Sequence, residues 1–293
     1  MPKILITGGS GFIGHNLVEF FVRRFDTVAT YHSRPPNGHD LGARFVQLDV
    51  REEIQVRSVV EQERPDVLIH AAGDKNVRRC KSNPDEAHLL NALGARNVAR
   101  ACEKFGARMI YVSTDLVFDG SRGAYREDET PIPTTVYGRT KLDGERYAME
   151  ECSNTAICRT GGVYGPGSPL LEWFAKEVSA GRSVEAFTDV FNSPTYAMNL
   201  AEMIDVTIQR GLTRILHTAG SERIDRFHFF REYARQFGFD ETVISPASRN
   251  ADDADALLQH DSSLATGITA SKLDLKSNTV ADGFARMKEH GGT

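Results

Sequence analysis

Short apolar runs alternate with amphipathic stretches through the first half of the chain. The apolar runs predict strands at 3–7, 27–31, 44–48, 66–71, 108–113 and 154–159. The stretches between them predict helices at 12–24, 51–63, 84–104 and 137–151. Strands connected in sequence through helices build a parallel sheet that is covered on both faces. The pattern therefore predicts an α/β fold with a doubly wound parallel sheet.

Three glycines recur at three-residue spacing between the first strand and the first helix. They are Gly8, Gly11 and Gly14, and the loop between them also contains Ser10. Glycine permits a tight turn and lets the backbone approach a pyrophosphate, whose charge is attracted by the free N–H groups at the helix start. Strand, loop and helix follow in the order that a dinucleotide site of the Rossmann type requires. The segment therefore predicts a nicotinamide cofactor.

The end of the second strand bears on which cofactor is bound. It reads Thr30-Tyr31-His32-Ser33-Arg34 and has no carboxylate to hold a ribose 2′-hydroxyl or to repel a 2′-phosphate. With His32, the Ser33 hydroxyl and Arg34 at this position, charge complementarity favours NADP(H) over NAD(H), and NAD(H) stays possible. Arg34 can instead be a solvated loop charge. Asp49, just past the third strand, can accept a hydrogen bond from adenine or cap the following helix.

The regular alternation loosens after Tyr164, where Gly165-Pro166-Gly167-Ser168-Pro169 breaks the chain and a helix follows at about 169–180. No low-complexity linker separates the two parts, so we expect them to be interleaved. The NAD(P)-binding domain is predicted at 1–165 plus about 190–218. A smaller substrate-binding domain is predicted at about 166–189 and 219–293.

Tyr137 and Lys141 are four residues apart on a predicted helix, so both side chains lie on one face. An ammonium beside a phenol favours the phenolate, and we expect Lys141 to lower the pKa of Tyr137 and so fit it for acid–base catalysis. Lys141 can also hold the nicotinamide ribose. A half-buried tyrosine beside a surface lysine is the alternative for this spacing.

Two strand ends favour the catalytic interpretation. Thr114 and Asp115 end the fifth strand at the edge where open α/β sheets bind ligands, and a hydroxyl there can polarise a carbonyl. The fourth strand ends in the small residues Ala71, Ala72 and Gly73, which let a nicotinamide ribose lie against the backbone. Thr114, Tyr137 and Lys141 are thus the predicted catalytic set.

The order of glycine loop, Ala-Ala-Gly, Ser-Thr and Tyr-x-x-x-Lys resembles the extended short-chain dehydrogenases/reductases. Within that superfamily the chain is most similar to the dTDP-4-dehydrorhamnose reductase group of sugar-nucleotide reductases. The similar segments are 112–120, 129–133 leading into 137–141, Arg159-Thr160, 193–196 and 262–264.

The resemblance implies roles for particular residues. Tyr137 would donate a proton to a C4 carbonyl, Lys141 would be its electrostatic partner, and Thr114 would donate a hydrogen bond to that carbonyl. A 4-keto-6-deoxy sugar nucleotide is the implied substrate, with Asp115 and Arg159 among its binding residues. The cofactor lining implied by the resemblance is Gly11, Phe12, Ile13, Asp49, Val50 and Gly73.

Two positions depart from that group. Leu116 stands where those reductases usually have a tyrosine, and Gly162 stands where they often have a tryptophan against the sugar. The loss of that aromatic surface would change how the sugar packs and leave hydride chemistry intact. Leu116 also replaces the glutamate of the 4,6-dehydratases, which argues against water elimination.

Basic residues of the second half are candidates for binding a nucleotide diphosphate, because phosphate requires charge-assisted donors. They are Arg159, Lys176, Arg182, Arg223 and Arg226. For each of them a solvated surface position is the alternative.

Composition excludes several classes of function. The formal net charge is −5 and no long basic run occurs, which argues against a nucleic-acid surface. No apolar run approaches the roughly 18 residues that span a bilayer, and no cleavable leader is evident, so we expect a cytoplasmic protein and no membrane partner. The four cysteines lack metal-type spacing and are expected to be reduced thiols, and the nine histidines are not clustered, so no metal is expected.

Two rival functions remain open at this point. The chain can be a cofactor-binding regulatory subunit, as found among relatives of this family, although Thr114, Tyr137 and Lys141 argue against it. It can also be a sugar-nucleotide epimerase that keeps its cofactor bound. Short-chain enzymes of this kind are often dimers, so a homodimer is possible.

Overall fold

A computed structural model describes residues 1–35, 41–249 and 259–290. Its strands are β1 (Lys3–Thr7), β2 (Asp26–Tyr31), β3 (Arg44–Gln47), β4 (Val67–His70), β5 (Arg108–Thr114), β6 (Thr155–Thr160), β7 (Val163–Tyr164), β8 (Val184–Phe187), β9 (Phe191–Asn192), β10 (Thr195–Tyr196), β11 (Ile215–His217), β12 (Ile224–Asp225) and β13 (Ile244–Ala247). Its helices are α1 (Phe12–Phe21), α2 (Glu53–Glu63), α3 (Val77–Ser82), α4 (Pro84–His88), α5 (Gly94–Phe105), α6 (Val136–Glu151), α7 (Pro169–Ser179), α8 (Ala197–Gln209), α9 (Arg226–Phe237), α10 (Gly267–Leu273) and α11 (Val280–Glu289).

Seven strands form one parallel sheet in the order β11-β6-β5-β4-β1-β2-β3. The central strands have apolar middles, as Ile4-Leu5-Ile6 and Leu68-Ile69 illustrate, because both of their faces are buried. Helices α2, α5 and α6 cover one face, and α1 and α8 cover the other. The predicted doubly wound Rossmann-type fold is confirmed.

The strand order reverses direction at β1, which lies between β4 and β2. The helices that follow β1 and β4 therefore leave to opposite faces and open a crevice at the carboxyl ends of these strands. The glycine loop, the Ala-Ala-Gly segment and the end of β5 all lie at this edge of the sheet, because each follows its strand at the same end.

The helix predicted at 84–104 differs in the structure. A separate short helix, α3, precedes it, and a π-helical turn at Leu89–Leu93 interrupts it between α4 and α5. The start and the stop are as the sequence predicts, since Pro84 is the first residue of α4 and Gly106 ends α5 with a left-handed φ of 74°. A π-helical turn is common at functional sites, and this one faces the crevice through Asn91.

The later part of the chain forms a second layer beside the sheet edge. It contains three two-stranded sheets and a cluster of buried rings in which Tyr164, Phe174, Phe230, Tyr233 and Phe284 meet. Strand β11, which the sequence pattern did not predict, joins the main sheet beside β6. The predicted division of the chain into two domains by residue number stays a prediction.

The cysteines and the helices bear on the classes that composition excludes. Cys80, Cys102, Cys152 and Cys158 are all buried and free. Within the described ranges, no helix combines the length and apolar character that a membrane crossing needs. The same residues contain no group of three or more His, Cys, Asp or Glu side chains arranged to hold a metal ion.

Candidate active site

A cavity of about 520 Å³ lies at the carboxyl edge of the sheet, between the sheet and the later layer. Its sheet side is formed by the glycine loop, the ends of β4 and β5, and the first turns of α6. Its other side is formed by the β6–β7 connection and by residues of α7, β9 and α9. The cavity thus brings together segments that are far apart in sequence.

The glycine loop forms one end of this cavity and can only be built from glycine at two positions. Gly8 has a φ of +72°, and a Cβ there would lie 2.8 Å from the Ala72 backbone. A Cβ on Gly14 would lie 2.1 Å from the Gly8 carbonyl oxygen. Gly11 precedes α1 without a side-chain cap, so backbone N–H groups at the helix start stay available to an anion.

Most of the predicted cofactor residues line the cavity, and some do not. Those that line it are Gly8, Gly11, Phe12, Ile13, Gly14, Ala71, Ala72, Gly73, Tyr137 and Lys141. Ser10 is exposed on the loop outside the cavity lining. The glycine cradle and the small residues opposite it fit a dinucleotide, because neither leaves side-chain atoms in the path of a phosphate.

The residues predicted for the adenosine end form a separate group at the end of β2. His32, Ser33 and Arg34 are exposed there. His32 Nε2 lies 3.3 Å from Asp49 Oδ2, and Arg51 makes hydrogen bonds of 2.9 and 2.6 Å to the same carboxylate. The pKa of Asp49 is lowered because the Arg51 guanidinium hydrogen-bonds to it.

Arg51 is a residue of this region that sequence reasoning missed. Its own backbone N–H also donates to Asp49 Oδ1 at 3.0 Å, so Asp49 organises the turn that leads into α2. Both uses proposed for Asp49 are geometrically possible here, since its carboxylate holds the turn and still faces His32. Val50 is buried below it, where its carbonyl accepts a 3.0 Å hydrogen bond from Asn97. The adjacency of Asp49 and Arg51 was the available signal.

Thr114, Tyr137 and Lys141 all line the cavity. Thr135 caps α6 by accepting the backbone N–H of Gly138 at 3.0 Å, which fixes the start of the helix next to β5. A Cβ on Gly138 would lie 2.1 Å from the carbonyl oxygen of Leu116. The glycine therefore allows α6 to approach the end of β5 closely enough to place Tyr137 beside Thr114.

Lys141 is buried and held at its terminal nitrogen. Nζ donates a 2.8 Å hydrogen bond to the Val112 carbonyl and lies 3.9 Å from the centre of the Tyr111 ring. Burial lowers the pKa of Lys141 to about 7, against the opposite effect of the nearby Glu145 carboxylate. A lysine in this state can change its charge near neutral pH.

The prediction that Lys141 lowers the pKa of Tyr137 is wrong for this structure. Burial raises the pKa of Tyr137 above its ordinary value of 10, and a hydrogen bond with Thr114 opposes that rise. Burial removes hydration from the phenolate, and the nearby Asp115 carboxylate also disfavours a second negative charge. A phenol with a raised pKa stays protonated at neutral pH, which suits a residue that donates a proton.

Asp115 lies beside the catalytic set and lines the cavity, as predicted for a substrate residue. It is 5% exposed, and its two oxygens accept hydrogen bonds from Thr114 Oγ1 at 2.9 Å and from Ser262 Oγ at 2.6 Å. Burial raises its pKa to about 6. Ser262 is 147 residues away in sequence, and sequence analysis had no local signal for this contact.

Arg159 does not reach the cavity, which corrects its assignment as a substrate residue. It is 1% exposed, and its guanidinium donates to both oxygens of Glu145, with Nη2 to Oε2 at 2.7 Å. Ser113 donates to the same carboxylate at 2.5 Å. Side chains alternate along a strand, so Arg159 points under the sheet while the next residue, Thr160, lines the cavity. Arg159 therefore ties β6 to α6 beneath the site.

Several further residues that line the cavity are apolar. The lining contains Leu116 and Gly162, the two positions that depart from the expected pattern, together with Leu170, Val190, Phe191 and Phe229. A Cβ on Gly162 would lie 2.8 Å from Nδ2 of Asn192, which also lines the cavity. An amide therefore stands where a larger side chain at 162 would lie.

Comparison with known proteins agrees with this arrangement. The RmlD substrate binding domain family matches residues 2–290. The chain is 30% identical to the dTDP-4-dehydrorhamnose reductase of Mycobacterium tuberculosis over 255 residues, which cover 84% of this chain and 79% of that protein. It is 29% identical to the methionine adenosyltransferase 2 subunit beta of Xenopus laevis over 83% of this chain and 75% of that protein. The crystal structure of the dTDP-4-dehydrorhamnose reductase of Bacillus anthracis in complex with NADP has a TM-score of 0.85 and 26% identity, and the match covers 99% of this chain and 100% of that one.

Proposed function

Because the chain belongs to the RmlD substrate binding domain family, we propose that it is an NADPH-dependent reductase of the keto group of a nucleotide-activated deoxysugar. The observation that carries this proposal is the single cavity lined by the glycine loop and by Thr114, Tyr137 and Lys141. The substrate proposed from the relatives is dTDP-4-dehydrorhamnose or a closely similar 4-keto-6-deoxy sugar nucleotide.

The nicotinamide would supply hydride to the carbonyl carbon. The residues of the chain act on the carbonyl oxygen. Thr114 donates a hydrogen bond to that oxygen, and Tyr137 donates the proton as negative charge develops there. A raised phenol pKa keeps this proton on Tyr137 until an alkoxide, which is far more basic, accepts it.

Lys141 and Asp115 prepare the two sides of the reacting group. The hydrogen bond from Lys141 to Val112 directs Nζ along the floor of the cavity, where it can reach the ribose hydroxyls of the cofactor. Without substrate the Thr114 hydroxyl donates its single proton to Asp115 at 2.9 Å, and it would turn from that carboxylate to the carbonyl oxygen when the keto group binds. Asp115 can also accept a hydrogen bond from a substrate hydroxyl.

NADP(H) is the cofactor that we assign, with NAD(H) possible. The Bacillus anthracis reductase was solved with NADP, and at the end of β2 this chain has no carboxylate at positions 30–34. The Asp49 carboxylate lies 3.3 Å from His32 Nε2, and Arg51 forms an ion pair with it. We further propose that the protein acts in the cytoplasm and that it forms a homodimer. Light scattering would measure the mass of the particle in solution and so test for the dimer.

The test is nicotinamide oxidation by the purified protein with dTDP-4-dehydrorhamnose as acceptor, followed by absorbance with NADPH and with NADH. We expect stoichiometric oxidation, and we expect Tyr137→Phe to lower turnover by about 10² to 10⁴-fold while NADPH affinity stays nearly unchanged. Tyr147→Phe is the matched control, because Tyr147 lies on the same helix outside the cavity. Turnover of Tyr137→Phe near that of the unaltered protein would refute the assigned role.

Similarity to a methionine adenosyltransferase beta subunit supports a second candidate, a non-catalytic cofactor-binding regulatory subunit. The two candidates differ in one result. A regulatory subunit binds NADPH tightly and oxidises none of it with any keto sugar nucleotide. An epimerase, the third possibility, would convert its substrate without net oxidation of NADPH.

A further inference from the structure

Two cations line the cavity without an ion pair or hydrogen bond among the described residues. One is Lys75, whose Nζ lies 5.2 Å from the ring centre of Phe12 and which therefore belongs to the glycine-loop side. The other is Arg226, the first residue of α9, on the opposite side. The cofactor pyrophosphate is provided for by the backbone of the glycine loop, so Arg226 faces a different part of any bound ligand pair.

Backbone pairing joins the strand of a second unpaired polar group, Asn192, to the strand that ends just before Arg226. Strands β9 and β12 are antiparallel, with Asn192 opposite Ile224 and Phe191 opposite Asp225. Asn192 and Arg226 are thereby brought to the same lip of the cavity, and both line it. Within the described part of the chain, the Asn192 amide makes no hydrogen bond to the protein.

Gly162 is what allows the Asn192 amide to lie there. A Cβ at position 162 would come within 2.8 Å of its Nδ2, so any larger residue would displace the amide. This gives a positive reason for a glycine at a position where the sequence suggested only the loss of an aromatic surface. Where the related reductases often have a tryptophan ring, this site has the Asn192 amide, which can donate a hydrogen bond.

The surroundings of Arg226 favour the binding of an anion. Its guanidinium carbon lies 5.9 Å from the ring centre of Phe230, and burial lowers the pKa of the guanidinium even though the charge of Asp115 acts in the opposite direction. Both oxygens of Asp115 already accept hydrogen bonds, from Thr114 and Ser262. A partly buried cation without a hydrogen-bonded partner is costly until a ligand supplies one.

We infer that Arg226 and Asn192 form the receptor for the diphosphate of the nucleotide-sugar substrate. The planar guanidinium matches two phosphate oxygens, and the amide donates to a third. Catalysis needs the keto group at Thr114 and Tyr137, and Arg226 and Asn192, which line the same cavity, would hold the diphosphate at the other end of the sugar. This inference rests on the proposed function for the identity of the sugar nucleotide. Binding of a diphosphate by Arg226 and Asn192 is tested separately, by binding measurements that need no turnover.

The experiment measures binding of dTDP and of thymidine to the NADP⁺-saturated protein by calorimetry or ligand-observed NMR. We expect Arg226→Gln to weaken dTDP binding about 10- to 100-fold, the usual range for a lost charge-assisted contact, and to leave thymidine binding unchanged. The dTDP affinity of Arg226→Lys should lie between that of the unaltered protein and that of Arg226→Gln. Arg231→Gln is the control, because Arg231 lies on the same helix and pairs with Glu241 outside the cavity.

Two further variants test the amide without removing a charge. Asn192→Ala and Gly162→Ala should each weaken dTDP by a smaller factor of about 3 to 10, since a neutral hydrogen bond is worth less than a charged one. NADP⁺ affinity and melting temperature, measured on each variant, report whether the fold is intact. Unchanged dTDP affinity in Arg226→Gln, or an equal loss of thymidine binding in an intact variant, would overturn the inference.

The same titrations separate this inference from the proposed substrate. If the unaltered protein does not bind dTDP, UDP and inorganic pyrophosphate are tested next. Binding of either that depends on Arg226 keeps the receptor and rejects a thymidine sugar as substrate. Binding of none of the three overturns the receptor. A failure to oxidise NADPH with intact, Arg226-dependent dTDP binding would instead refute the reductase and leave the receptor standing.

Discussion

Replacement of Lys141 by methionine is expected to remove activity and yet stabilise the protein. Lys141 is 6% exposed, and its pKa falls from 10.5 to about 7 on burial. The unfolded chain therefore binds more protons than the folded chain between these two values. The stability of the unaltered protein must then rise with pH through that window, and the variant, which has no such group, must lack this dependence.

The size of the effect follows from the two pKa values. At pH 7 the cost of burying Lys141 is about 4 kcal/mol. Methionine forfeits the hydrogen bond to the Val112 carbonyl and the contact with the Tyr111 ring, which together contribute about 1 to 2 kcal/mol. A net gain of about 2 to 3 kcal/mol remains, which corresponds to a rise in melting temperature of about 5 °C for a chain of this length.

Denaturant unfolding of both proteins at pH 7 and at pH 9 is the assay. The advantage of Lys141→Met should shrink by about 2 kcal/mol between these conditions, because the folded lysine is neutral above pH 7 while the proton bound in the unfolded chain stabilises that chain less as pH rises toward 10.5. Lys176→Met, an exposed position on α7, is the control and should change neither stability nor its pH dependence. A variant that is less stable at pH 7 and keeps the pH dependence of the unaltered protein would refute this reasoning.

Two further outcomes follow from buried charges near the site. Glu145→Gln should lower the free energy of unfolding by about 3 to 5 kcal/mol, because Arg159 loses its carboxylate partner in the interior. The double variant Glu145→Met with Arg159→Met should recover most of this loss of stability. An equal loss in the single and the double variant would contradict the ion pair as the cause. Asp115 has a pKa raised from 3.8 to about 6, so the folded protein binds the extra proton and loses stability as pH rises through that window. Asp115→Asn should abolish this loss in denaturant titrations, and an unchanged slope between these pH values would contradict it.

The sequence predicted the parts of the fold that have strong periodicity. Six of the seven strands of the main sheet were predicted to within two residues at each end, because fully buried parallel strands are uninterrupted apolar runs. The glycine loop was equally visible, since Gly8 and Gly14 occupy positions where a Cβ would collide with backbone. Tyr137 and Lys141 followed from helical spacing taken together with the ends of the fourth and fifth strands.

The rest depends on contacts that no local pattern carries. Strand β11 has three residues, too few to show a period, and the π-helical turn inserts a residue that an amphipathic pattern does not register. Arg159 was assigned to the substrate from the family resemblance and its charge, but strand alternation turns it beneath the sheet, where it pairs with Glu145. Asn192 pairs with the strand just before Arg226, and both strands have only two residues, which is too few to predict from the sequence.

Transfer of deuterium from NADPH labelled at the nicotinamide C4 tests the central claim most directly. With dTDP-4-dehydrorhamnose as acceptor and each of the two label positions in turn, one labelled form should yield a product that carries a single deuterium at the sugar C4, as read by mass spectrometry and NMR. Tyr137→Phe should form that product at about 10⁻² to 10⁻⁴ of the rate. A product without deuterium from both labelled forms, or no product from a protein that binds NADPH tightly, would contradict the account of this chain as a reductase.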